Sequence, residues 1–156
     1  MLYHNMKIAG FDRKLPLCPV NDNLYIGAFV MFGDTELTTA CAKELLKIAP
    51  EYDYLITAEA KGIPLTHEMA RIHGDGYYFL ARKSPKLYMT GVLEVNVHSI
   101  TTAAEQKLYL DTADAEKMKG KNTVIVVRVA AKMDFHTSRV PCITASSAVF
   151  PRECKR

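Results

Sequence analysis

Between residues 24 and 32 the chain reads LYIGAFVMF, a short apolar run of strand-forming residues closed by Gly33 and Asp34. Asp34 suits a helix N-cap, with Glu36 favourable in the first turn. Leu37, Ala40, Cys41, Leu45 and Ile48 then recur at helical spacing until Pro50 ends the segment. Residues 54–57 (YLIT) predict a buried strand, and a loop over 58–63 follows. Pro64 suits the first turn of a second helix, in which Leu65, Met69 and Ile72 share a face and Gly74 is the stop. Residues 77–81 (YYFLA) predict the next strand. Leu93, Val95 and Val97 alternate with Glu94, Asn96 and His98, which predicts a half-buried strand able to pair with 107–110. Residues 123–127 (TVIVV) predict a further buried strand. The order strand, helix, strand, helix, strand implies an α/β fold: a mostly parallel twisted sheet flanked by helices, with an antiparallel flap added.

Composition narrows the class. A chain of 156 residues with 49% hydrophobic and 24% charged positions can bury one sizeable core. No apolar run is long enough to span a bilayer, and the first ten residues lack the pattern of a signal peptide, so a cytoplasmic protein with no membrane partner is expected. Cys18, Cys41, Cys142 and Cys154 are widely spaced and read as reduced thiols. The five histidines form no HExxH motif, and no metal-ligand set is expected. The net charge of +3 is uneven: residues 121–156 hold 7 Lys and Arg against 2 Asp and Glu, and no glycine follows Gly120. Those cations are scattered singly, so nucleic acid is not an expected partner.

Ligands of open α/β sheets bind beyond the carboxyl ends of the strands. Two loops there carry cations. After Thr57 come Ala58, Glu59, Ala60, Lys61, Gly62, Ile63 and Pro64, joining a strand to a helix N-terminus whose free N–H groups favour phosphate. Gly62 would let backbone approach a ligand and Lys61 adds a full charge; the plainer reading is a strand-to-helix turn displaying two solvated charges. After Ala81 come Arg82, Lys83, Ser84, Pro85 and Lys86, three cations within five residues stiffened by proline. Together the loops make a site for a polyanion such as pyrophosphate; separately each reads as a solvated turn.

The strings TAEAKGIPL (57–65) and ARKSPKL (81–87) resemble the type I phosphoribosyltransferases, most closely the adenine and xanthine phosphoribosyltransferases of purine salvage. Residues 95–102 resemble the mobile flap of the xanthine members, and the likeness covers roughly residues 12–127. The resemblance implies transfer of ribose 5-phosphate from phosphoribosyl pyrophosphate, with Mg2+ carried by that donor, to a purine base. It implies that Glu59, Ala60, Lys61 and Gly62 form the pyrophosphate loop, often built on a cis peptide, and that Arg82, Lys83 and Lys86 bind the same group. Tyr88, His98, Ser99, Thr101 and Thr102 match the flap, and Asn21 falls where xanthine-type members contact the base. A homodimer is compatible with the family.

The chain departs from that pattern after residue 127. The family's corresponding strand runs into two adjacent acids and a glycine-bearing loop that wraps the 5′-phosphate. Here it runs into Arg128, Val129, Ala130, Ala131, Lys132, Met133 and Asp134. Phosphate-cradling loops need bare or left-handed backbone, which side-chain-bearing residues supply poorly. We therefore divide the chain into a phosphoribosyltransferase-like part, 1–127, and a divergent basic tail, 128–156, that leaves the fold incomplete at its C-terminus. A changed reading frame near codon 127, divergence to a binding protein, or a fragment completed by another chain would each produce this. Two functions stay open: a purine phosphoribosyltransferase, or a non-catalytic nucleotide- or pyrophosphate-binding regulatory domain of the same fold.

Overall fold

The computed structural model describes residues 2–21, 24–98, 105–126 and 131–133. The chain opens with β1 (Tyr3–Ile8) and β2 (Phe11–Asn21), joined by a tight turn in which Ala9 and Gly10 both take positive φ, 47° and 88°. Two left-handed central residues match the twist of a hairpin, and Ile8 pairs with Phe11 across it. The second half of β2 pairs antiparallel with β3 (Leu24–Gly27), across an irregularity between Pro19 and Asn21. The β1-β2 hairpin has no counterpart in the pattern read from the sequence, because its alternation is broken by Arg13, Pro16 and Pro19. The run 24–32 is a strand only as far as Gly27. Beyond it Phe29 and Met31 turn inward while Val30 and Phe32 stay half exposed.

Helix α1 (Thr35–Ile48) begins where expected. The Asp34 carboxylate accepts the Leu37 N–H at 3.1 Å and receives Arg13 of β2 at 2.7 and 3.1 Å. Arg13 also reaches Glu36 at 3.0 Å, so one guanidinium ties the N-terminal sheet to the positive end of the helix. Its hydrogen bonds hold the Asp34 carboxyl below the usual range. Next come β4 (Tyr54–Ala58), α2 (Ile63–His73) and β5 (Phe79–Ala81). Pro64 sits in the first turn of α2, and Gly74 ends the helix in the left-handed conformation at φ 92°. Strand β5 is shorter than read, since Tyr77 is exposed and only Phe79 is fully buried.

β6 (Val92–His98) and β7 (Glu105–Asp111) form the antiparallel flap, with Val95 opposite Leu108. The apolar side of β6 departs from the half-buried expectation. Leu93 and Val95 are 46% and 56% exposed, because among the described residues no layer packs on that face. Asp111 then caps the short α3 (Thr112–Met118) through the Ala113 N–H and also accepts from Thr90, closing the base of the flap. β8 (Thr123–Val126) lies parallel to β4, and β9 (Ala131–Met133) pairs antiparallel with β3. The tail thus returns three residues to the N-terminal sheet.

Among the described residues the sheets are β1-β2-β3-β9, the parallel β5-β4-β8, and the flap β6-β7. One core joins the first two: Ile8 and Leu15 from the hairpin meet Leu37 and Cys41 of α1, Met69 of α2 and Val124 of β8. Burial raises the Cys41 thiol. No helix among the described residues is long and apolar enough to cross a membrane.

The two helices are laced by Glu68. It takes two hydrogen bonds from Arg71, each 2.8 Å, and one from Thr39 of α1 at 2.9 Å. The Arg71 bonds foremost lower its carboxyl to about 2. A carboxylate with a depressed folded value stabilises the fold above its ordinary range and loses that contribution as pH falls through the folded value. Melting temperature should therefore decline from pH 4.5 to about 2, and Glu68→Gln should flatten part of that decline; thermal melts across this range measure it.

Candidate functional site

β4 and β5 are parallel neighbours in register, with Ala58 opposite Ala81, so the loops that follow them leave the same edge of the sheet. The backbone knits them together: Glu59 N–H donates to the Ala81 carbonyl at 2.9 Å. The Glu59 side chain then crosses from one loop to the other. One oxygen accepts the Lys83 N–H at 2.9 Å, and the other lies 3.4 Å from the Arg82 guanidinium. Glu59, Ala60, Lys61, Gly62, Arg82 and Lys83 are thereby brought into one place. The Glu59–Ala60 bond is a non-proline cis peptide, standing in the loop for which the family resemblance implied one.

Gly62 has a packing reason of its own. A Cβ there would stand 2.1 Å from Thr57 Oγ1 and 3.3 Å from the Val126 carbonyl oxygen. Its φ of −79° is open to any residue, so close approach and not backbone conformation demands the glycine. Thr57 Oγ1 donates to that same Val126 carbonyl at 2.7 Å, and Thr66 of α2 donates to the Gly62 carbonyl at 2.9 Å. The start of α2 is thus pressed onto the ends of β4 and β8. Ahead of it the N–H groups of Ala60, Lys61 and Gly62 take no partner among the described residues.

The cations differ in how far they are committed. Lys61 and Lys83 are exposed, and their ammonium groups are unpaired among the described residues. Lys86 donates to Ser84 Oγ at 2.8 Å. Arg82 faces Glu59, and its Nε is buried with no partner among the described residues. Its backbone exchanges two hydrogen bonds with Tyr109 of β7, 2.7 and 2.8 Å, joining the second loop to the flap. The sequence reading missed Thr57 and Tyr109. A threonine inside an apolar strand was the available sign of the first; a backbone bridge leaves none for the second.

The remaining residues named from the resemblance are dispersed. Tyr88 is exposed ahead of the flap, and His98 ends β6. Ser99, Thr101 and Thr102 lie outside the described residues. Asn21 ends β2, in a different sheet from both loops. Among the described residues no three His, Cys, Asp or Glu side chains gather as a metal site.

No family model matches the chain, and no curated protein matches it in sequence. Its structure is similar to an adenine phosphoribosyltransferase of Thermoanaerobacter pseudethanolicus ATCC 33223, with TM-score 0.52 and 16% identity over 71% of this chain. The chain spans 64% of that enzyme's length. The likeness establishes the fold.

Gly62→Ala should cost about 1–3 kcal/mol by overpacking against Thr57. In a Thr57→Ala background the cost should shrink, since the nearest atom is gone; chemical denaturation of the four variants of this cycle measures it. The parallel sheet β5-β4-β8 and helix α2, which build the cation-bearing edge, are those of a phosphoribosyltransferase-like fold.

Proposed function

We propose that the chain is a purine phosphoribosyltransferase-like protein whose loops 59–62 and 82–86 hold the pyrophosphate of phosphoribosyl pyrophosphate. One observation carries the reading: two loops leaving one sheet edge are bound to each other by Glu59, and they present unpaired N–H groups beside Lys61 and Lys83. Departure of pyrophosphate from C1′ of the ribose builds negative charge on the leaving group and positive charge on the ring. Fixed donors and cations at the leaving oxygens lower that barrier. Backbone N–H groups of 60–62 would bind the leaving group, with Lys61 and Lys83 adding charge. The flap, joined to Arg82 through Tyr109, would exclude water so that the base attacks. Magnesium would enter with the phosphoribosyl pyrophosphate donor. The protein is proposed to act in the cytoplasm on a purine base, with a homodimer compatible with the reading.

A second reading rests on the sequence 128–135, which has no acid pair to hold the ribose hydroxyls. On it the chain is a regulatory domain that binds nucleotide or pyrophosphate without turnover. Incubation with phosphoribosyl pyrophosphate, magnesium and each purine base, followed by chromatography of nucleotides, separates the two. Nucleoside monophosphate formation is the expected result of the first reading. Saturable binding of phosphoribosyl pyrophosphate without product, lost in Lys61→Ala, is that of the second. A flat titration removes both.

A further inference from the structure

An anion site with a carboxylate at its centre needs explaining. Glu59 is less than a quarter exposed on its side chain, as is common for a structural brace, yet it lies where negative charge is least welcome to an incoming phosphate. It engages Arg82, the cation nearest the junction of the loops, while Lys61 and Lys83 stay free. Arg82 is not satisfied by this contact. The pair is separated by 3.4 Å, and Nε is buried without a partner, so the guanidinium retains donor capacity that the carboxylate does not use.

We infer that Glu59 is an internal counter-anion: it occupies Arg82 in the ligand-free protein and must yield that guanidinium to a bound diphosphate. This rests on the reading of the loops as a pyrophosphate site. An anion reaching only Lys61 or Lys83 leaves the Glu59–Arg82 contact in place. A diphosphate, with a second charged group to span the loops, displaces the Glu59 carboxylate and takes its place on Arg82. Glu59 therefore weakens diphosphate binding while leaving single phosphates little affected. The hydrogen bond from the Lys83 N–H needs only an oxygen acceptor, so a glutamine at 59 keeps the brace between the loops while removing the charge.

The test is titration calorimetry with inorganic pyrophosphate and with inorganic phosphate at one fixed ionic strength, on the wild type, Glu59→Gln, Arg82→Ala and the double variant. Thermal melts confirm that each is folded. Glu59→Gln should bind pyrophosphate roughly two- to fivefold more tightly, the scale of a partly exposed ion pair. Phosphate binding should change less, so the preference for pyrophosphate should widen, and the gain should disappear in the Arg82→Ala background. Unchanged or weaker pyrophosphate binding by folded Glu59→Gln, with the wild type binding, overturns the counter-anion role alone and leaves Glu59 as a brace. Absence of pyrophosphate binding by every protein overturns the site itself, and this inference with it.

Discussion

The close approach of Gly62 to Thr57 and Val126 is the constraint on which the cation-bearing edge depends. Three elements meet there with only the Thr57 side chain between them: the end of β4, the end of β8 and the first turn of α2. The Thr57 hydroxyl bridges the two strands, and the missing Cβ lets the helix start seat directly on that bridge. Because the loop 59–62 has one end in β4 and the other in α2, pinning both ends leaves it little freedom. Its unpaired N–H groups are held in place not by an extended loop but by compression of the two elements it connects.

Much of this was legible in the chain because it is local. Asp34, Pro50, Pro64 and Gly74 punctuate α1 and α2 through backbone chemistry that acts within a turn or two, and they stand where the sequence placed them. The pairing of the flap strands also followed from alternation. What alternation could not disclose was a neighbour. Leu93 and Val95 share a face, but whether a face is covered depends on a second layer that no spacing within the strand encodes. The hairpin β1-β2 was missed for the converse reason. Its stability comes from the turn at Ala9 and Gly10 and from Arg13 reaching Asp34, a contact between distant segments.

The site followed the same division. Both loops and their charges were visible as strings, and adjacency followed from parallel order. The carboxylate of Glu59 was visible only as a letter. Nothing in the string distinguishes a solvated glutamate from one that accepts the Lys83 N–H and faces Arg82, since both partners lie across a helix from it in sequence. Likewise the glycine at 62 reads as freedom to approach a ligand, whereas its observed neighbours belong to the protein itself.

The pairing of β9 with β3 bears on how the chain acquires its structure during synthesis. Residues 25–27 meet residues 131–133, so the outer edge of the N-terminal sheet has no partner until nearly all the described chain has been made. Helices α1 and α2 and the β1-β2 hairpin close over short distances and form early. Strand β3 then waits with open hydrogen-bonding groups, a template for unwanted association between nascent chains. The last-made of the described strands is therefore the one that covers the β3 edge, left open since early in synthesis.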